Sequence, residues 1–159
     1  MFSTVIWHPS EIALSSPVVF VQYLAAMAVV RGVKTYARGY GTLPVRLKWP
    51  NDVYAEDPSR SDGPASTKPA YVKIGGILVN STYSGSNYGL VVGVGVNVAN
   101  AAPTTGLDAL ARRAGLPAFE KEKLLARILT VFEALYSQFC SEGWGSQLEN
   151  TYNEMWLHR

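Results

Sequence analysis

Cysteine is almost absent from this 159-residue chain: Cys140 stands alone, which excludes an internal disulfide and any cysteine-based metal cluster. Histidine is nearly as scarce, with His8 before Pro9 and His158 near the last residue, a separation that suggests no metal pair. Charge of one sign is missing too. Fourteen basic residues against twelve acidic give a net charge of +2, and no basic run is interleaved with aromatics, so nucleic acid is not an expected partner. There is no long membrane-spanning run. The most apolar stretch, SSPVVFVQYLAAMAVVRGV, is interrupted by Gln22 and closed by Arg31, shorter than the ~20 residues a bilayer needs. MFSTVIWHP lacks the basic start and small-residue cleavage site of a signal peptide. A cytoplasmic, reducing setting is the expectation, with neither membrane nor nucleic acid as partner.

What is present is a composition able to build one core: 48% hydrophobic and 16% charged residues. FSTVIW reads as a short strand. Ser15-Ser16-Pro17 reads as a helix start, with a hydroxyl cap and proline in the first turn, for a helix running to about Tyr36. Gly39 and Gly41 then release the chain. PVRLKW is the next strand, and residues 55–70, AEDPSRSDGPASTKPA, hold too little apolar mass to order themselves, so a flexible surface loop is expected. Two β-rich runs, YVKIGGILVN and YGLVVGVGVNV, follow as a hairpin. Beyond Pro103 the pattern turns helical. In EKEKLLARILTVFEALYSQF, Leu125, Ile128, Leu129, Phe132, Leu135, Tyr136 and Phe139 recur at helical spacing and form the expected core stripe. Arg112 and Arg113 read as a solvated face, and Cys140 as a packed thiol. Together the elements predict an α+β fold, a mixed or antiparallel sheet with helices packed on one side.

The hairpin carries the most informative pattern. Along its second strand Leu90, Val92, Val94, Val96 and Val98 fall on one face, and Gly89, Val91, Gly93, Gly95 and Asn97 on the other. Glycine inside a strand gives up packing, so three on one face imply close approach of a ligand or of another backbone; spacing alone leaves both open. With a loop over Tyr83–Asn87, opposed positions sum to 170. Lys73 then faces Asn97, and Gly75 faces Gly95: a cation and an amide at one end of a bare trough. GVGVN itself, with no G-x-x-G continuation into a helix, is no dinucleotide loop.

RLKWPND, KIGGILVN and VVGVGVNV, in that order, resemble the catalytic domain of biotin protein ligases, the holocarboxylase synthetase type in particular. The preceding strand and apolar helix are similar as well, so the resemblance covers essentially the whole chain. It implies a sheet-and-helix fold shared with lipoate ligases, and a reaction in which biotin and ATP form biotinyl-AMP before the biotinyl group passes to a lysine on a carboxylase carrier domain. By resemblance, Lys73 touches the biotin carboxylate and later the acyl phosphate, and Asp52 positions a metal or helps deprotonate the acceptor lysine. Asn51 and Asn97 lie near phosphate and adenine, and Gly93 and Gly95 form the floor beneath the ligand; Gly75 and Gly76 are further candidate binding positions, and Lys48 either contacts phosphate or faces solvent. Mg²⁺ is expected with the triphosphate. Trp49 and Pro50 are expected to stiffen the strand end, with Trp49 as a core anchor.

Two elements of the family pattern are not found in these residues: a Gly/Arg-rich loop before the first strand and an earlier Ser/Thr element. ARGYGT at 37–42 has a similar composition but follows the long helix, so it does not match. The small β-barrel domain that follows in relatives is not found either. The expectation is a partial ligase catalytic domain over residues 1–159, weakly active or inactive alone, with an exposed apolar patch. The alternatives are a lipoate or octanoate ligase relative, and a remnant acting only as a binding module.

Overall fold

The computed structural model describes residues 1–57, 70–100 and 105–158. Five antiparallel strands form one sheet in the order β1-β5-β4-β3-β2. They are β1 (Phe2–Pro9), β2 (Val45–Lys48), β3 (Asp52–Glu56), β4 (Tyr71–Ser84) and β5 (Asn87–Val96). The helices are α1 (Val21–Lys34), α2 (Leu107–Arg113), α3 (Lys121–Glu142) and α4 (Ser146–Met155). The expected class, an α+β fold with helices on one side, is what forms, and all pairings between the strands are antiparallel. Of the stretch expected as a flexible loop, Ala55 and Glu56 belong to β3, Asp57 is buried, and 58–69 lie outside the described residues.

Alternation along the strands decides which face is covered. Leu90, Val92 and Val94 of β5, Val53 and Ala55 of β3, and Val45 and Leu47 of β2 are buried against α1. The apolar character of α1 on nearly every side has the same cause. It lies on the sheet and is itself covered by α3, so ten of its fourteen residues are buried. The two helices meet at Gly32, where an added methyl would stand 2.7 Å from Ile128 Cγ1 and 3.1 Å from Ile128 Cα.

Three local expectations are corrected by tertiary contacts. The long helix does not begin at Ser16. Val18–Phe20 form a 3₁₀ turn, and α1 starts at Val21. Ser16 is buried and its hydroxyl donates to the Phe139 carbonyl at 2.7 Å, so the hydroxyl anticipated as a cap serves to tie α1's approach to α3. The buried stripe of α3 is Leu124, Ile128, Val131, Phe132, Leu135 and Phe139; of the residues expected in it, Leu125 and Tyr136 are half-buried and Leu129 is exposed. Arg113 is not simply solvated, because Nη1 lies 2.9 Å from Oδ1 of the buried Asp57 and pins the end of β3 to α2. The carboxylate is the buried member of this pair, and the guanidinium is partly open to solvent.

His8 also finds a tertiary role. It is fully buried, its Nδ1 lies 2.8 Å from the Tyr136 hydroxyl, and its ring stacks on Phe139, while Nε2 has no hydrogen-bond partner among the described residues. Burial lowers its pKa below the usual histidine value. In acid the unfolded chain takes up this proton before the folded chain does, so stability is fully present above about pH 6.5 and falls as the pH drops through the folded value.

Two outcomes follow. Urea unfolding should show stability declining between pH 7.5 and 5, with a shallower decline in His8→Gln. Gly32→Ala should destabilise by about 1–3 kcal/mol, because the clash with α3 outweighs the roughly 1 kcal/mol that alanine gains over glycine in a helix.

Candidate active site

The face of the sheet away from the helices is where the glycines collect. β4 and β5 pair with Gly76 opposite Gly95 and Leu78 opposite Gly93, so opposed positions sum to 171 and not to 170. The strands run on to Ser84 and Asn87, closed by the two-residue turn Gly85-Ser86 with Gly85 at φ +63°, deeper into the segment expected as loop. The expected pairings of Lys73 with Asn97 and Gly75 with Gly95 are therefore corrected. Asn97 lies across from Ile74, its N–H donating to the Ile74 carbonyl at 2.7 Å.

A one-residue change of register ought to move Lys73 to the wrong face. It does not, because β4 carries a bulge. Against β3 the pairs run Asp52 with Gly76, Val53 with Gly75, then Tyr54 with Lys73, so Ile74 is an extra residue. Ile74 and Ile77 both point into the core, while Lys73, Gly76 and Leu78 look out. The alternation is inverted between 73 and 76, and the lysine ends on the glycine face.

The glycines divide by what a side chain would meet. At Gly75 a methyl would be 2.7 Å from the Gly95 carbonyl oxygen, so this glycine allows the bulge to close on β5. At Gly76 a methyl would sit 3.5 Å from Lys73 Cε, 3.6 Å from Nζ and 3.5 Å from Asp52 Oδ1: the lysine lies directly across it. At Gly93 and Gly95 the nearest atoms would be 3.5 and 3.9 Å away, so a methyl there would clash with nothing. Gly75 is structural, whereas Gly76, Gly93 and Gly95 keep a trough bare.

Lys73 Nζ is 2.6 Å from Asp52 Oδ1, with the lysine side chain 54% and the aspartate 23% exposed. An ion pair this open contributes at most about 1 kcal/mol to stability, so its significance is positional. A cation and a carboxylate stand at the end of a side-chain-free strip, reachable from solvent. Lys48, on β2 opposite Asp52, places Nζ 5.0 Å from the centre of the Tyr54 ring. Asn51 is otherwise engaged than expected. Its Nδ2 donates to the Ile77 carbonyl at 2.7 Å, and the Ile77 N–H donates to its backbone oxygen at 2.9 Å. The amide is thus committed to the edge of β4. Trp49 is no core anchor: it is 62% exposed, and its indole N–H donates to the Tyr23 hydroxyl at 3.2 Å. Tyr23 was not singled out in the sequence, where it is one apolar position among many.

The rest of this face is unusually apolar. Val5, Trp7, Leu78 and Val91 are all exposed on it, and Trp7 lies over Gly89, where a methyl would be 3.1 Å from its ring. Together they form an exposed apolar patch on the same side of the sheet as the trough. A cavity of about 500 Å³ opens on the other side of the sheet, between Phe2, Val96 and Val98 and Leu124, Leu125 and Ile128 of α3. Its lining contains no acid–base pair. Among the described residues no three His, Cys, Asp or Glu gather to hold a metal ion, and no helix is long and apolar enough to cross a membrane.

Residues 1–97, which contain the whole trough, match the model of the biotin/lipoate A/B protein ligase family. The chain belongs to that family. It is 38% identical over 164 aligned residues to a biotin–protein ligase of Schizosaccharomyces pombe, covering 99% of this chain and 26% of that protein. It is 34% identical to the human biotin–protein ligase, over 94% of this chain and 19% of that one. The chain therefore spans about a quarter or less of the length of these two relatives. In fold it is similar to an Aquifex aeolicus biotin protein ligase crystallised with biotin, at a TM-score of 0.66 and 16% identity, covering 98% of this chain and 57% of the other. A Leishmania major biotin protein ligase in complex with biotinyl-5-AMP matches at 0.60 and 21% identity, over 99% of this chain and 63% of that one. The family model ends at Asn97, beyond the last glycine of β5, so the bulge, the ion pair and the trough all lie within it.

The division of the glycines is testable. Gly75→Ala should lose about 1–3 kcal/mol in chemical denaturation, as overpacked sites do. Gly93→Ala and Gly95→Ala should stay within about 0.5 kcal/mol of the parent.

Proposed function

We propose that this chain carries the acyl-adenylate corner of a biotin–protein ligase, taking biotin and ATP to biotinyl-AMP and passing the biotinyl group to a lysine of a carboxylase carrier domain. The observation that supports this most is the position of Lys73: its ammonium lies over Gly76 and beside Asp52, on a glycine strip that accepts a flat ligand.

In the first step the biotin carboxylate oxygen attacks the α-phosphorus of ATP, and pyrophosphate leaves. Two anions must approach, and the fixed ammonium of Lys73 lowers their repulsion and then holds the acyl-phosphate oxygen. In the second step the acceptor amine attacks the acyl carbon, an amide forms and AMP leaves. A lysine amine with a pKa near ~10.4 is mostly protonated at neutral pH, and the Asp52 carboxylate is placed to accept a hydrogen bond from it as it sheds that proton. Gly93 and Gly95 let the ligand lie on the strand, Asn97 and Lys48 flank it, and Asn51 acts by tying the β2–β3 turn to β4. Mg²⁺ fits as the counter-ion of the triphosphate, which needs one or two carboxylates from protein, and Asp52 is the carboxylate beside the trough. The cytoplasm is the proposed setting, where carboxylase acceptors and ATP would meet the enzyme.

Calorimetry with biotinyl-5′-AMP tests the site. The chain should bind it, and Lys73→Ala should weaken binding about 10- to 100-fold, the loss expected for a charge-assisted hydrogen bond. Tighter binding of lipoyl-5′-AMP would move the substrate to the other branch of the family. Pyrophosphate release with biotin and ATP should be slow for these 159 residues alone, since the arginine donors of the Gly/Arg-rich element, expected to stabilise the charge of the adenylation step, are not among them. Robust biotin-dependent turnover would contradict that.

A further inference from the structure

We infer that Tyr23, on the buried helix and remote from the glycine trough in sequence, is a positioning residue for the Asp52–Lys73 pair, acting through Trp49. The ligand consequence rests on the proposed function; the structural coupling does not. The segment that turns from β2 into β3 is Trp49-Pro50-Asn51, and whatever fixes it also fixes Asp52, the first residue of β3. An indole that is 62% exposed has little packing to hold it, yet its N–H is spent on one partner, the Tyr23 hydroxyl at 3.2 Å.

Tyr23 is well placed to be the fixed end of that bond. Its ring centre lies 5.8 Å from Phe20, 6.0 Å from Trp144 and 5.6 Å from Tyr152. Those rings also contact one another, with Phe20 stacked on Trp144 at 4.6 Å and Trp144 against Tyr152 at 6.2 Å. The cluster thus joins the start of α1 to α4, two elements that take no part in the trough. From Tyr23 the path runs to Trp49, through a proline whose φ is fixed by its ring, to Asn51, which clasps the Ile77 backbone twice, and so to Asp52. Lys73 is more than half exposed, and the contact that holds its ammonium over Gly76 is with Asp52. A loosened corner therefore reaches the lysine.

The test is a ¹⁵N–¹H spectrum of the lysine ammonium groups, with the Lys73 signal assigned by its loss in Lys73→Arg. Tyr23→Phe keeps the ring and removes the hydroxyl; Trp49→Phe removes the donor. Each should increase ammonium exchange at Lys73 several-fold and shift its signal toward those of solvent lysines, without lowering the thermal midpoint appreciably. The double variant should go no further than either single one. An unmoved Lys73 signal in both single variants overturns the inference, and so does an additive double variant, which would mean that the two residues act separately. Biotinyl-5′-AMP affinity should fall several-fold in Tyr23→Phe. If the Lys73 signal moves as expected but the parent chain binds no adenylate, the positioning stands and the proposed function falls.

Discussion

The approach of Gly75 to the Gly95 carbonyl is the constraint on which the site depends. A methyl at that point would stand 2.7 Å from a backbone oxygen, so only a residue without a side chain lets β4 bulge there and still close its ladder with β5. The bulge inverts the alternation of β4, sends Ile74 and Ile77 into the core, and leaves Lys73 facing the same way as Gly76. Without it, Ile74 and Ile77 would face opposite sides of the sheet, and so would Lys73 and Gly76. The distinction among the glycines is thus one of cause: one makes the geometry, the others leave it vacant.

Energetics explain why the corner needs support from elsewhere. An ion pair as open as Lys73 with Asp52 does little to hold itself in place. The strength of the molecule lies behind the sheet, where α1 is buried between β-strands and α3, and where Gly32 lets the two helices touch. Rigidity reaches the exposed face through a few directional bonds: Asn51 to Ile77, Trp49 to Tyr23, and Arg113 to Asp57 at the far end of β3. The glycine strip is open above, so the corner is held from behind and from the side.

The open face combines that corner with exposed Val5, Trp7, Leu78 and Val91. The bare strip, the ammonium and the apolar surround thus share one solvent-facing side of the sheet. The family match spans residues 1–97 and so includes every strand that builds the trough.

Much of this was legible in the residues. The valine and glycine faces of β5, the hairpin and the helical stripe around Ile128 and Phe132 follow from local periodicity, which side-chain direction converts into faces, while Lys73 and Asp52 were marked by the motif strings and their resemblance to the family. What could not be read was whatever depends on a partner distant in the chain. Ser16 meets Phe139, Trp49 meets Tyr23, Arg113 meets Asp57, and Asn51 turns back on Ile77. The register and the bulge belong to the same class: one extra residue reverses every face beyond it, and its place is chosen by the fit between three strands. Periodicity determined which residues are apolar together and which are bare. Only the folded sheet decided that a lysine three positions from Gly76 would lie across it.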